Sequence, residues 1–325
     1  MRLTQGPAAV SRELTATVTA VLTAALLLAA PPAAAGPHHA HDAVRYASVK
    51  RCGDDPCGPW RLITRDGGLR VLRDARTVAL TPGGRRSDAL APISVSGDGR
   101  KVAYLTKAGR PAVRDLRGDV TLLGAGELPR VADHHVELRL SGDGGRLAVE
   151  ITDQRHAGTR VYDTATGARL GTLPKAAAFV GFSGDGGEVL TAVDRGAGKE
   201  DLAVHADTGE RLTGGTPPAP VSETLQALAA DGRTVALLSS GKPMITLYDL
   251  DTDLVVGRLP VKLPAGELHL IDWTGDRQVT IHLARYGARS TAMTVVRVDT
   301  ETGEVTTRDR YALRDDTFAF AACGG

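Results

Sequence analysis

The feature that most constrains the fold is a phrase that returns along the chain at nearly constant spacing. It reads SVSGDGRKVAYL at 94–105, RLSGDGGRLAVEI at 139–151, GFSGDGGEVLTAV at 181–193, ALAADGRTVALLS at 227–239 and DWTGDRQVTIHL at 272–283. Its turn aspartates, Asp98, Asp143, Asp185, Asp231 and Asp276, stand 45, 42, 46 and 45 residues apart. A period of this size marks a unit that cannot bury its apolar face alone and must stack on its neighbours, as propeller blades and solenoid repeats do. Each copy is an apolar, β-branched run, a tight turn and a second such run, which is a β-hairpin.

A second landmark follows within each period. Asp115 in VRDLRGD, Tyr162-Asp163 in VYDTATG, Asp207 in VHADTG, Tyr248-Asp249 in LYDLDTD and Asp299 in VDTETG each end an apolar run with a polar turn. Asp-Gly and Thr-Gly supply the positive φ that such turns demand. Each unit is therefore four antiparallel strands, a to d, with no helical periodicity between them, and four such strands make a propeller blade.

The S-x-D-G turn followed by Y-D-x-x-T-G resembles the bacterial WD40-like repeat, including the family typified by the periplasmic TolB propeller, over residues 44–325. The resemblance implies an all-β ring of four-stranded blades. No Trp-Asp ends any strand c, where Arg114-Asp115, Tyr162-Asp163, His205-Ala206, Tyr248-Asp249 and Val298-Asp299 stand instead. The Gly-His pair of eukaryotic WD repeats is also missing. The partner-binding functions of that subclass are therefore not carried over.

Five hairpins give five blades and leave 44–75 over. There AVRYASVKR matches the b strands, WRLITRDG strand c and GLRVLRDA strand d, so this blade lacks only strand a. At the other end DTFAFAACGG (316–325) alternates like an a strand and stops where the turn would begin. The prediction is a six-bladed β-propeller in which the C-terminal strand completes the N-terminal blade, removing two open edges. Of three cysteines, Cys52 and Cys57 flank a Gly, Asp and Pro turn and are expected to form a local disulfide. Cys323 would end its strand about 20 Å from Cys52, too far for a bridge.

Residues 1–35 carry Arg2 and Arg12, an uncharged apolar run from Leu14 to Ala30, and an A-x-A pattern after Pro31-Pro32. This reads as a Sec-type signal peptide, with an uncleaved anchor as the alternative. Residues 36–43 form a His-rich leader, expected to be disordered, and 44–325 the propeller. The mature chain is expected to be extracytoplasmic, without a membrane span, and monomeric. Net charge is +1 and aromatic residues make up 4%. With neither a basic stripe nor stacking platforms, nucleic acid is not an expected partner.

The turn aspartates are read as caps on their own hairpins in preference to a ring of metal ligands. DLDTD at 249–253 has Leu254 and Pro260 where a calcium loop needs Gly and an acid. GFSGDGG lacks the strand-turn-helix context of a nucleophile elbow around Ser183, and RGAGKE at 195–200 lacks Ser or Thr after Lys199. His38, His39 and His41 belong to the leader. His134 and His135 are placed at a strand entry, pointing to opposite faces, so no metal shared with His156 is expected. No cofactor or metal is expected.

What remains is charge in the b-to-c loops. Arg110, Arg155, His156, Arg195, Lys242, Arg285 and Arg289, with Lys107 and Lys199, place a cation in five of six such loops, while the first blade offers Asp54 and Asp55. One reading is a loop face that binds an anionic partner near the ring axis. Interleaved Asp153, Asp194, Glu200 and Asp201 leave ordinary loop polarity as the competing one. The function expected is a non-enzymatic propeller that binds a protein, a cell-envelope polymer or a small ligand through that face. A propeller enzyme of lactonase, lyase or hydrolase type, working at the central channel with His134, His135, His156 or His205, is the alternative. A rigid spacer in an envelope assembly is the third.

Overall fold

The structure, a computed structural model, describes residues 42–196, 199–218, 224–239, 241, 243–288 and 290–324. The expected signal peptide (1–35), His38, His39 and His41 of the expected leader, Lys242 and Arg289 lie outside the described residues. The described chain is all-β apart from a single 3-10 turn at Asp133–His135.

Six four-stranded antiparallel sheets form the blades. The first contains β1 (Val44–Cys52), β2 (Asp55–Thr64) and β3 (Leu69–Leu72). A separate two-stranded hairpin follows, β4 (Val78–Leu80) and β5 (Arg86–Leu90). The second blade is β6 (Ile93–Val95), β7 (Lys101–Leu105), β8 (Pro111–Asp115) and β9 (Val120–Leu122), and the third β10 (Val136–Leu140), β11 (Arg146–Ile151), β12 (Gly158–Asp163) and β13 (Arg169–Thr172). The fourth is β14 (Ala178–Phe182), β15 (Glu188–Gly196), β16 (Lys199–Ala206) and β17 (Arg211–Gly215). The fifth is β18 (Thr224–Leu228), β19 (Thr234–Ser239), β20 (Met244–Asp249) and β21 (Leu254–Pro260). The sixth is β22 (Glu267–Gly275), β23 (Gln278–Tyr286), β24 (Thr291–Asp299) and β25 (Val305–Ala312), after which β26 (Thr317–Ala322) returns to the first blade.

The strand order of that blade, β26-β1-β2-β3, closes the ring as the sequence predicts. Tyr46 pairs with Ala322, Ser48 with Phe320 and Val49 with Ala319. Side chains reinforce the closure. Arg61, nearly buried on β2, donates to both carboxylate oxygens of Asp316 at 3.0 and 2.8 Å. Arg45 is paired with Asp309 of the sixth blade at 2.9 Å, and the Tyr46 and Tyr311 rings stack with centroids 5.6 Å apart. Ala43 is buried, and its carbonyl accepts from Arg65 N, so the packed chain begins inside the segment assigned by sequence to the leader. Cys52 and Cys57 are bridged, with Cα atoms 5.8 Å apart, and Cys323 is free.

The repeated phrases form one hydrogen-bonded device. In three blades the serine before the turn donates to the turn carboxylate: Ser96 to Asp98 at 2.6 Å, Ser141 to Asp143 at 2.6 Å and Ser183 to Asp185 at 2.7 Å. The same carboxylates accept from Arg100 N, Gly145 N and Gly187 N. Where Ala229 replaces the serine, Asp231 instead accepts from Arg233 N and from the amide and hydroxyl of Thr234. Asp276 sits in a tighter turn, with Gly275 paired to Gln278. At the c-to-d turns Asp163, Asp249 and Asp299 each accept from two backbone amides and a threonine hydroxyl. Only one of these turns lacks its glycine: Asp253 takes the positive φ of 58° there. Its carboxylate accepts from Thr216 N and the Tyr248 hydroxyl.

Packing between blades is mostly apolar. Ala236, Leu238, Ile281 and Val296 fill the seam between the fifth and sixth blades, and Val49, Leu62, Val102 and Tyr104 that between the first and second. Buried tyrosines end on carboxylates from the connections: Tyr104 on Asp74 at 2.6 Å, Tyr162 on Glu127 at 2.9 Å, and Tyr248 on Asp253. An unmet hydroxyl at such a place costs about 1–3 kcal/mol, which explains the pairing. The β4–β5 hairpin has no counterpart in the repeat. It is anchored by Asp133, whose carboxylate accepts from Leu80 N and Arg76 Nη1, both at 2.7 Å.

Deleting residues 316–325 is expected to abolish cooperative unfolding, because β1 then loses its partner along the innermost edge. Thermal melts followed by circular dichroism check this. A cooperative transition within a few degrees of the parent would contradict it.

Candidate functional site

The innermost strands β26, β6, β10, β14, β18 and β22 surround the ring axis. Their ends at the a-to-b turns are drawn together by cross-blade bonds: Asp98 N to Gly142 O at 2.8 Å, Gly324 N to Val95 O at 3.0 Å and Leu140 N to Ser94 Oγ at 3.2 Å. The glycine preceding the turn aspartate is what allows this approach. A Cβ on Gly97 would lie 3.2 Å from the Gly142 backbone, and one on Gly184 would lie 3.0 Å from the Trp273 ring.

Between these strands lies an axial cavity of about 830 Å³. Its walls combine Phe179, Phe182 and Phe320 with the cations Arg139, Arg297 and Arg308, the amide of Gln226, and three acids, the turn carboxylates Asp98 and Asp143 and the strand residue Asp272. His269 stacks on Phe320 with centroids 5.4 Å apart, and burial holds its pKa below the ordinary histidine value. Arg139 is paired with Glu137 at 3.2 Å. The Trp273 indole N–H and Arg297 Nε are buried polar atoms on this wall without a protein hydrogen bond.

A side chamber of about 300 Å³ lies between the sixth and first blades and shares Asp272, Thr274, Gly97 and Arg308 with the axial cavity. Its other walls include Arg65, Thr280, His282, Tyr311, Cys323 and the Arg45–Asp309 pair. Electrostatics here are dominated by burial. It pushes Asp272 up to about 7, against the opposing pull of Arg308. It pushes His282 down to about 3, helped by His269 and Arg308. Arg308 is itself lowered, first by desolvation and then by repulsion from Arg65. Burial raises the Cys323 thiol and the Tyr311 hydroxyl, keeping both protonated.

The residues singled out by sequence lie elsewhere. Of the b-to-c loop cations, Arg155, His156 and Arg285 are exposed. Arg195 is tied to Asp201 at 2.5 Å, and Arg110 Nη2 donates to Leu123 O at 2.6 Å. None of these five lines either cavity. His134 and His135 do not point to opposite faces. The 3-10 turn there brings their rings to 4.4 Å, because such a turn, unlike a strand, projects consecutive side chains about 120° apart. His205 is buried on β16 with Nδ1 near Gly209 O at 3.4 Å. Among the described residues no group of three or more His, Cys, Asp or Glu is placed to hold a metal ion.

The axial residues had a signal that was not read. Four positions before the turn aspartate the chain carries Ser94, Arg139, Gly181, Ala227 and Asp272. Two charged side chains at a position otherwise Ser, Gly or Ala mark an inward-facing site. Arg65, Arg308 and Cys323 had no comparable mark, since only closure of the ring brings them together.

No protein-family model matches this chain. No curated protein matches it either. Among solved structures it is similar to a TolB candidate from Agrobacterium tumefaciens, at 16% identity and a TM-score of 0.47, covering 82% of this chain and 90% of that one. It is similar to TolB from Acinetobacter baumannii at 16% identity and a TM-score of 0.47, covering 85% and 64%. For the tricorn protease the values are 13%, 0.44, 78% and 34%. Likeness at these values carries no inference about ligand or activity, and the six-bladed architecture stands on the strand order given above.

The pH dependence of Asp272 offers a test of the site's electrostatics. Its folded pKa of about 7 lies above the ordinary 3.8, so between those values the folded state holds a proton that the unfolded chain releases. Stability attributable to this group falls as pH rises through that window and levels off above it. Asp272→Asn is expected to match the parent near about pH 4 and to melt several degrees higher near about pH 8. Equal melting temperatures at both would contradict the assignment.

Proposed function

We propose that this chain is an exported, non-enzymatic propeller that binds an anionic segment of a partner, a protein or a cell-envelope polymer, at its axis. The observation that carries this reading is the axial cavity, where Arg139, Arg297 and Arg308 stand among aromatic walls with the Trp273 indole N–H and Arg297 Nε unmet. Concave sites with apolar walls and a few convergent polar groups are where ligands bind. The exposed cations Arg155 and His156, between β11 and β12, and Arg285, near the end of β23, would steer an anionic partner toward the ring, an effect that weakens with salt. Export is supported by the apolar N-terminal run and by the Cys52–Cys57 bridge, a bond that persists in oxidising compartments. Among the described residues no helix is long and apolar enough to cross a membrane. The protein acts as a monomer in this reading.

An enzyme working at the channel is favoured by one observation, the raised pKa of Asp272 in a cavity. Against it, Cys323 is held as a thiol and so is a poor nucleophile.

A labelled hexaglutamate peptide, with hexaglutamine as the neutral control, tests the binding reading by fluorescence anisotropy on the mature chain. The acidic peptide is expected to bind preferentially, and Arg139→Glu with Arg297→Glu to weaken it at least about tenfold. Replacing Arg155 and Arg285 by Gln should mainly flatten the salt dependence. Equal binding of both peptides, or affinity unchanged by the axial pair, would overturn the proposal.

A further inference from the structure

The chamber between the sixth and first blades is anomalous for a propeller seam. Part of this seam is filled by Ile63, Ala284, Met293 and Leu313, as Leu238, Ile281 and Val296 fill the one before it, but the chamber is not. Here Thr280 and His282 of β23, together with Arg308 and Tyr311 of β25, face Arg65 and Cys323 of the first blade across open volume. Polar walls around a void are costly unless something satisfies them.

Two kinds of unmet demand converge there. His282 is 3% exposed and its Nδ1 has no hydrogen-bond partner. The Tyr311 hydroxyl is buried and likewise unpartnered. The second demand is charge. Arg65 and Arg308 both line the chamber, and neither forms an ion pair among the described residues, whereas neighbouring Arg45 is matched by Asp309 at 2.9 Å. Two guanidinium groups that repel each other across one chamber are stabilised by an anion placed between them.

We propose that this chamber binds one small oxyanion, a carboxylate or a phosphate, held by the guanidinium groups of Arg308 and Arg65 and by the Tyr311 hydroxyl. Thr280 and His282 complete the polar wall. Two acids line that wall, Asp309, paired with Arg45, and Asp272, which has no ion pair among the described residues. The Asp272 carboxyl, while protonated, donates to an oxyanion oxygen, and once ionised it opposes binding, so the site favours neutral or mildly acidic conditions. The inference is independent of the axial partner: the chamber takes a small ion even if no macromolecule enters the channel.

Melting temperature of the purified mature chain in sodium phosphate, sodium succinate and sodium chloride at matched ionic strength tests this. One oxyanion should raise the melting temperature in a saturable way that chloride does not reproduce. Titration calorimetry with the same salt should give one site per chain. Phosphate and succinate arms decide which oxyanion chemistry the chamber prefers. Arg308→Gln is expected to weaken binding at least about tenfold, and Tyr311→Phe, which preserves the ring, by about threefold to tenfold. Arg258→Gln, exposed on β21 and lining neither cavity, should leave it unchanged. Should Arg308→Gln fail to fold, Arg65→Gln and Tyr311→Phe carry the same test. The proposal is overturned if neither oxyanion stabilises the parent beyond chloride, or if the effect survives loss of Arg308 or Arg65.

Discussion

The pairing of β26 with β1 is the interaction on which the rest of the molecule depends. Blades packed side by side around an axis leave the first and last with unpaired edges unless the chain joins them, and unpaired edges both fray and aggregate. Here β26, Thr317–Ala322, supplies the innermost strand of a blade whose other three strands come from 44–72. The closure is therefore made by backbone hydrogen bonds: opening the ring means breaking a sheet, not merely separating two packed faces. Arg61 bound to Asp316 and Arg45 bound to Asp309 hold the same junction from the side chains.

The blades themselves are maintained by one economical piece of chemistry, a carboxylate that folds back on its own turn. The first glycine of S-G-D-G has a different task from the second. Gly99, Gly144 and Gly186 adopt positive φ, whereas Gly97 and Gly184 clear space at the axis. The same motif thus shapes both the hairpin and the floor of the central cavity, which connects repeat sequence to the place where a ligand fits.

Local chemistry was legible in the sequence, and convergence was not. The period of the turn aspartates, the orphan b, c and d strands of 44–75 and the alternation of DTFAFAACGG were enough for blade number and closure. The spacing of Cys52 and Cys57 was enough for the bridge. The β4–β5 hairpin escaped because it lies outside the repeat and is held by Asp133, more than one blade away in sequence. The 3-10 turn at His134 and His135 escaped because three residues are too few to show a period. For the candidate site, loop cations drew attention because exposed charge is conspicuous in a sequence. Asp272, Arg308, Arg65 and His282 sit in strands and acquire meaning only when the ring brings the sixth blade against the first. A polar residue in an otherwise apolar strand was the available signal, as in VTIHLARY for His282 and LIDWTG for Asp272.

Native-state hydrogen exchange measures the closure most directly, since it reports each amide of the intact protein. If the ring is sealed as described, amides linking β26 to β1, such as Cys323 N–H on the Arg45 carbonyl, exchange only with global unfolding, at the free energy of the β23 core amides. Exchange of the β26 amides by a separate opening of much lower free energy, while β23 stays protected, would contradict it.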